Sequence, residues 1–406
     1  MRIGKIPKVV VVASAASMVL AGCAGSSGAG AGGGDDDVYN VMITAGLSTQ
    51  GVLAANAQTS VLAAKAGAQV INEQGGIGGK QVELTVVDDG GDPTTAVTKL
   101  REAVNSSGKP DLFLDSGPST IAMAVLPVLK QEKILSFNIA PAEGTDDPSQ
   151  YPLNFDLAPG PAPNNASLVQ HAKDQGYNDI GVLHSSSGSG EAYGNAAKEQ
   201  ALKAGLNVVG IETYDPAALD MTPQLAALKN AGAKTLILDA YGAPLGHILD
   251  NIQRLAWDVP IIGETTVSAT SLITEAAPDG VLGTSKVDNL VTQVFTSTVH
   301  DPDNETVNQM VDTMASLGDI TAPLILADNY DPFFLVAAAA EKTGNTDPEG
   351  LAVALEDPAV LKDAQTAFLP QYNFTEESHA ANPGAEAFRY VKPSKLVNGQ
   401  FGNPDA

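Results

Sequence analysis

The sequence predicts an α/β protein of two lobes, each a parallel sheet covered by helices on both faces. Three observations predict it. Short β-rich runs alternate with Ala-rich stretches whose apolar residues recur at helical spacing. The rhythm breaks once, at a Pro/Asn-rich stretch over 151–165, and then restarts with units of similar size. The chain is also long enough for two domains at roughly 150 residues each.

The elements follow in order. Residues 39–44 read as a strand, and 52–73 as a helix with an apolar face. Gly75-Gly76-Ile77-Gly78-Gly79 turns the chain into a strand at 82–88. A helix at 94–105, a strand at 112–116, a helix at 119–130 and a strand at 134–137 complete the first unit. After the interruption come a helix at 165–175, a strand at 179–184, a helix at 191–204 and a strand at 208–214. A helix at 221–231, a strand at 235–239, a helix at 243–255 and a strand at 260–263 follow. The apolar run 335–340 is too short to span a bilayer and reads as a buried helix turn. Ligands of open α/β sheets collect beyond the carboxyl ends of the strands. The loops after Ser116, Phe137, His184, Asp239 and Gly263 are therefore the places to look.

Composition narrows the function. Aromatic residues are 5% of the chain, so the cores are expected to be aliphatic. The formal net charge of −25 repels nucleic-acid phosphates and anionic lipid alike. One cysteine, Cys23, excludes an intramolecular disulfide. It follows a basic opening (Arg2, Lys5, Lys8) and an apolar run at 9–20 that suits an export signal. Leu20-Ala21-Gly22-Cys23 resembles a bacterial lipobox, which implies a signal peptide over 1–22 and a lipid on Cys23. Residues 23–37, rich in Gly, Ala and Ser and ending in three aspartates, read as a flexible tether of roughly 20 Å reach.

Motifs over most of the chain resemble a known family. Ile71-Asn72-Glu73-Gln74-Gly75-Gly76-Ile77-Gly78-Gly79-Lys80 stands first, then Asp88-Asp89 with Asp92-Pro93. Tyr193-Gly194, Glu212-Thr213-Tyr214, Tyr330-Asp331 and Thr346-Asp347-Pro348-Glu349 follow. Together they are similar to type I periplasmic binding proteins of ABC transporters, specifically the leucine/isoleucine/valine-binding group. The resemblance implies two Rossmann-like lobes joined by a three-strand hinge, closing like a flytrap on a ligand. It places the crossings near 155–160, 284–290 and 366–374. Lobe 1 would then be 38–158 with 287–368, and lobe 2 would be 159–286 with 369–406. It further implies an amino-acid-like ligand, a membrane permease as partner, no cofactor, no enzymatic activity and an extracytoplasmic location.

An amino acid needs donors for its carboxylate and an acceptor for its ammonium. Ser119 and Thr120, at a strand-to-helix junction, suit the carboxylate, although Ser119 could equally cap its helix. The resemblance assigns Ser119 to the ligand carboxylate, gives Ala140 a backbone donor and aligns Glu264 with the ammonium acceptor. On that alignment Glu264→Gln is expected to abolish amino-acid binding. Ala142 replaces the family's usual threonine, and Asn56-Ala57 its usual Tyr-Gly. Asn138 stands as a possible replacement donor, and Ser116 as a further contact. Tyr193 and Tyr241 offer a ring and a hydroxyl, or are ordinary core. Asp239 is either a contact or the cap of the next helix.

Other signals point elsewhere less well. The Gly75–Lys80 loop is one residue short of a phosphate loop, and Gln81 replaces its Ser/Thr. The five histidines lack metal-ligand spacing. The rival functions are a receptor for amides, urea or another polar solute, a sensor, a structural lipoprotein, or a hydrolase using Ser189 and His184.

Overall fold

Two six-stranded sheets, one per lobe, organise the computed structural model, which describes residues 38–106 and 108–402. The expected signal peptide, tether and lipidated Cys23 lie outside the described residues. Lobe 1 begins with β1 (Val38–Ala45), α1 (Val52–Glu73), β2 (Gln81–Asp88) and α2 (Pro93–Val104). It continues through β3 (Leu112–Asp115), α3 (Ser119–Glu132), β4 (Leu135–Asn138) and β5 (Asn154–Pro159). Lobe 2 runs through α4 (Pro161–Asp174), β6 (Asp179–Ser185), α5 (Gly188–Lys203), β7 (Asn207–Tyr214) and α6 (Thr222–Asn230). It then adds β8 (Thr235–Leu238), α7 (Ala243–Arg254), β9 (Ile261–Gly263), α8 (Thr265–Ser268) and β10 (Leu290–Phe295). The chain returns to lobe 1 for α9 (Glu305–Leu317), α10 (Pro332–Thr343), α11 (Pro348–Leu355), α12 (Pro358–Asp363) and β11 (Ala380–Ala381). It ends in lobe 2 with β12 (Phe388–Val391).

Local chemistry accounts for the elements. β3, Leu-Phe-Leu-Asp, is buried throughout, as a central parallel strand requires, whereas the edge strand β2 alternates exposed and buried residues. α2 and α11 each start with an aspartate cap followed by proline: Asp92 accepts from the Thr95 N–H, and Asp347 from the Gly350 N–H. Gly67 lets α1 approach α10, because a side chain there would meet the Phe333 ring at 2.6 Å and the Tyr330 carbonyl at 2.7 Å. The α10 face Phe333, Phe334, Leu335 and Val336 completes the lobe-1 core.

The sheet orders locate the cleft. Lobe 1 reads β11-β5-β4-β3-β1-β2, and lobe 2 reads β12-β10-β9-β8-β6-β7. Strand order reverses between β1 and β3 in one sheet and between β6 and β8 in the other. Loops leaving such a switch point diverge and open a crevice. All neighbouring pairs are parallel except β10 with β12.

The first crossing falls at 159–161, within the expected range, but the other two move and the expected interruption contains a strand. The 151–165 stretch is not a plain interruption: it contains β5, paired with β4 through Phe137 and Phe155. Its buried Asn154 and Asp156 are satisfied mainly by Asn138 and Thr145. Asp156 accepts from Thr145 Oγ1 at 2.7 Å, Asn138 Nδ2 at 2.5 Å and Asn154 Nδ2 at 3.2 Å. The second crossing follows β10 rather than preceding it, since Leu290 pairs with Ile261 of β9 in the second sheet. The third crossing falls after Ala381, because β11 pairs with β5 and Phe374 packs in the lobe-1 core. Asp331 fixes that late return. Its carboxylate accepts the N–H groups of Ala367, Phe368 and Leu369 and the Tyr372 hydroxyl at 2.6 Å.

Candidate functional site

A cavity of about 530 Å³ lies between the lobes, lined by residues that follow the strands at both switch points. Gly46 and Thr49 follow β1, and Ser116 to Thr120 follow β3. From lobe 2 come Ser185 at the end of β6, Ser187 and Ser189 after it, and Asp239 and Tyr241 after β8. An apolar cavity of about 150 Å³ holds benzene, so this one has room beyond the head group of an amino acid.

Two helix N-termini meet at the cavity. Ser119 and Thr120 are the first residues of α3, and the cap position is Pro118, which offers no side-chain acceptor. Ser119 is therefore not a cap, and its hydroxyl and the first N–H groups of the helix stand at the cavity wall. Across the cleft, α5 begins at Gly188 behind the Ser187 cap. A Cβ built on Gly188 would lie 3.8 Å from Ser119 Oγ. The positive ends of both helices thus converge from opposite lobes. Among the described residues lining the cavity, none is Lys, Arg or His.

The acidic side differs from the alignment. Asp239 lines the cavity. It does not cap α7, whose cap position is Gly242; its Oδ2 instead accepts the Ser185 N–H and Oγ, each at 2.9 Å. Glu264 is buried and is absent from the described lining. Burial first and the nearby Asp239 second push its pKa well above the ordinary carboxyl value, and its Oε2 has no partner among the described residues. Of the two acids, Asp239 is the one that reaches the cavity.

Other predicted residues divide in the same way. Ala140, Ser116, Tyr193 and Tyr241 line the cavity. Tyr193 donates its hydroxyl to the Pro159 carbonyl at 2.8 Å, so the hinge uses that polar tip and the ring remains as wall. Ser116 Oγ donates to Ser60 Oγ at 2.6 Å. Ala142 and Asn138 do not reach the lining. The Ala142 N–H donates to Thr145 Oγ1 at 3.0 Å, and Asn138 is spent on Asp156. His184 and Ser189 do not form a catalytic pair: His184 Nδ1 lies against the Ser185 carbonyl and Nε2 against Thr213 Oγ1.

Sequence reasoning gave Asn56 no contact of its own and missed Asp328. Asn56, on α1, donates through Nδ2 to Tyr241 Oη at 2.7 Å and to the Ala269 carbonyl at 2.9 Å, bonding the lobes across the cleft. Asp328 lines the cavity from lobe 1 and is buried, with Oδ1 unpartnered among the described residues. The available signal was an aspartate directly after the apolar run Leu324-Ile325-Leu326-Ala327.

Comparison with known proteins accords with this architecture. The family model described as periplasmic binding protein matches residues 43–393. The chain is 24% identical over 292 residues to the leucine-, isoleucine-, valine-, threonine- and alanine-binding protein of Pseudomonas aeruginosa, covering 70% of this chain and 74% of that one. It is 23% identical over 333 residues to Leu/Ile/Val-binding protein homolog 3 of Brucella melitensis, covering 80% and 85%. The crystal structure of a type 1 periplasmic binding protein from Bordetella pertussis Tohama I superposes with a TM-score of 0.72 at 19% identity, covering 88% and 96%. The chain belongs to the periplasmic binding protein family, in the type I group of ABC-transporter substrate-binding proteins that includes the leucine/isoleucine/valine-binding proteins.

Proposed function

We propose that this chain is a lipid-anchored extracytoplasmic receptor that captures an amino acid between its lobes and delivers it to the permease of an ABC importer. The observation that carries the reading is the meeting of the α3 and α5 N-termini at a cavity that also presents Asp239. The ligand carboxylate sits between the helix ends, on the Ser119 and Thr120 hydroxyls and the Ala140 N–H. Its ammonium faces Asp239. Each charged hydrogen bond contributes on the order of 1.5–3 kcal/mol, and the two ends of the ligand engage different lobes. A ligand that bonds to both lobes binds the closed form better and shifts the population towards it. The permease reads that form. The ligands named for the two relatives are amino acids, and the lipobox over 20–23 supports the anchor.

Isothermal titration of the full-length protein with the twenty common amino acids tests the reading. It expects saturable one-to-one binding of at least one of them, weakened by removal of either the α-carboxylate or the α-amino group. No binding by any of the twenty, or tighter binding of a simple amide or aromatic acid, overturns it. Cys23→Ser should abolish metabolic labelling with palmitate and release the protein from the membrane fraction. Persisting label would remove the anchor.

A further inference from the structure

Asp328 sits in the cavity wall with backbone N–H groups of its own turn beside it but no cationic side chain in the described lining. It belongs to the short turn Asp328–Tyr330 after the apolar run that contributes Ile325 and Leu326 to the lining. Only 3% of it is exposed, and its Oδ1 has no partner among the described residues. Its neighbours are already engaged. Asn329 Nδ2 donates to Ser60 Oγ at 2.9 Å and to Ser116 Oγ at 3.3 Å. Asp331 adds like charge rather than a counter-ion, and its carboxylate is taken up by three backbone N–H groups and Tyr372. The described lining offers no Lys, Arg or His. An unpaired buried carboxyl is costly unless something cationic or hydrogen-donating meets it.

We infer that Asp328 selects the ligand's side chain, and that the cavity takes an amino acid whose side chain ends in a basic nitrogen. The inference rests on the amino-acid reading above and extends it. Asp239 belongs to lobe 2 and Asp328 to lobe 1, so the two acids serve different ends of one ligand. The cavity that both line, about 530 Å³, has room for a long side chain. A leucine side chain would fill the same space but seal the Asp328 carboxyl against methyl groups, leaving it unpaired. Burial already holds the Asp328 pKa well above the carboxylate range; an approaching ammonium or guanidinium favours its ionised form.

The test is calorimetric titration of the full-length protein with L-lysine, L-ornithine, L-arginine and L-leucine, repeated on Asp328→Asn. At least one basic amino acid should bind ten-fold or more tightly than L-leucine. Asp328→Asn should weaken that ligand at least ten-fold without weakening L-leucine. The wild-type ranking needs no variant, so a poorly folding substitution does not remove the test. If L-leucine binds as tightly as all three basic amino acids, this inference falls and the amino-acid reading stands. If no amino acid binds, both fall together.

Discussion

Ser119 and Asp239 stand on opposite lobes, and substitutions there separate binding from folding. Ser119→Ala removes one of the hydroxyls proposed to hold the ligand carboxylate, without removing a helix cap. Titration should show affinity falling by about ten-fold, the equivalent of about 1.4 kcal/mol, while the melting temperature moves by less than about 2 °C. Asp239→Asn keeps the shape and removes the charge, and should weaken amino-acid binding by about ten- to a hundred-fold. Glu264→Gln provides the contrast. Glu264 is buried and outside the described cavity lining, so the change should leave affinity within about three-fold, where alignment alone expects binding to vanish. If Glu264→Gln proves the more damaging of the two, the ammonium belongs to Glu264.

Helices α1, α3 and α5 bring these residues together. α1 packs on lobe 1 along nearly its whole length, yet places Asn56 in bonding contact with Tyr241 and Ala269 of lobe 2. Asn56→Ala removes both cross-cleft bonds, together worth about 1–3 kcal/mol. The unliganded protein should then show a larger radius of gyration in small-angle scattering, with ligand affinity down by about ten-fold or more. An unchanged radius would mean that the two bonds do not hold the lobes together in solution. In α5, Gly190 lies against Ser185, and a Cβ there would come within 2.9 Å of Asp239 Oδ2. The Ser185–Asp239 pair therefore depends on that glycine as much as on its own atoms.

For the molecule as a whole, buried acids set the pH dependence of stability. Burial pushes Asp115 and Asp156 up to about 7, and Asp331 up to about 6. A carboxyl with a raised folded-state pKa holds its proton more tightly folded than unfolded. Its contribution is complete below the unfolded value near 4 and is lost as pH rises through the folded value. The capping aspartates Asp92 and Asp357 act oppositely: N–H donors lower their pKa, and their contribution disappears in acid. Urea unfolding should therefore show greatest stability near pH 5, falling towards pH 8. Asp115→Asn should flatten that fall, because Asp115 has one N–H donor, from Gly117, and an unpartnered Oδ2 among the described residues. A slope unchanged by the substitution would assign the pH dependence to other groups.

The sequence by itself determined most of the elements up to β9 and the loops that border the cleft. Helical and strand periodicities, prolines after aspartate caps and glycine turns are local properties, and they carried α1 over its full observed range. The rule that ligands collect beyond strand ends then pointed to the loops after β3, β6 and β8. Only the tertiary structure decided which sheet claims a strand and which acid faces the cavity. β5 was hidden because Asn154 and Asp156 look like loop residues until Asn138 and Thr145 satisfy them across the sheet. The place of β10 depended on its register with β9, a long-range pairing that leaves no local pattern. Asp239 and Glu264 each directly follow a strand, and local pattern does not tell which of them lines the cavity. Both are buried, and only Asp239 is in the described cavity lining, a difference set by packing between segments far apart in the chain.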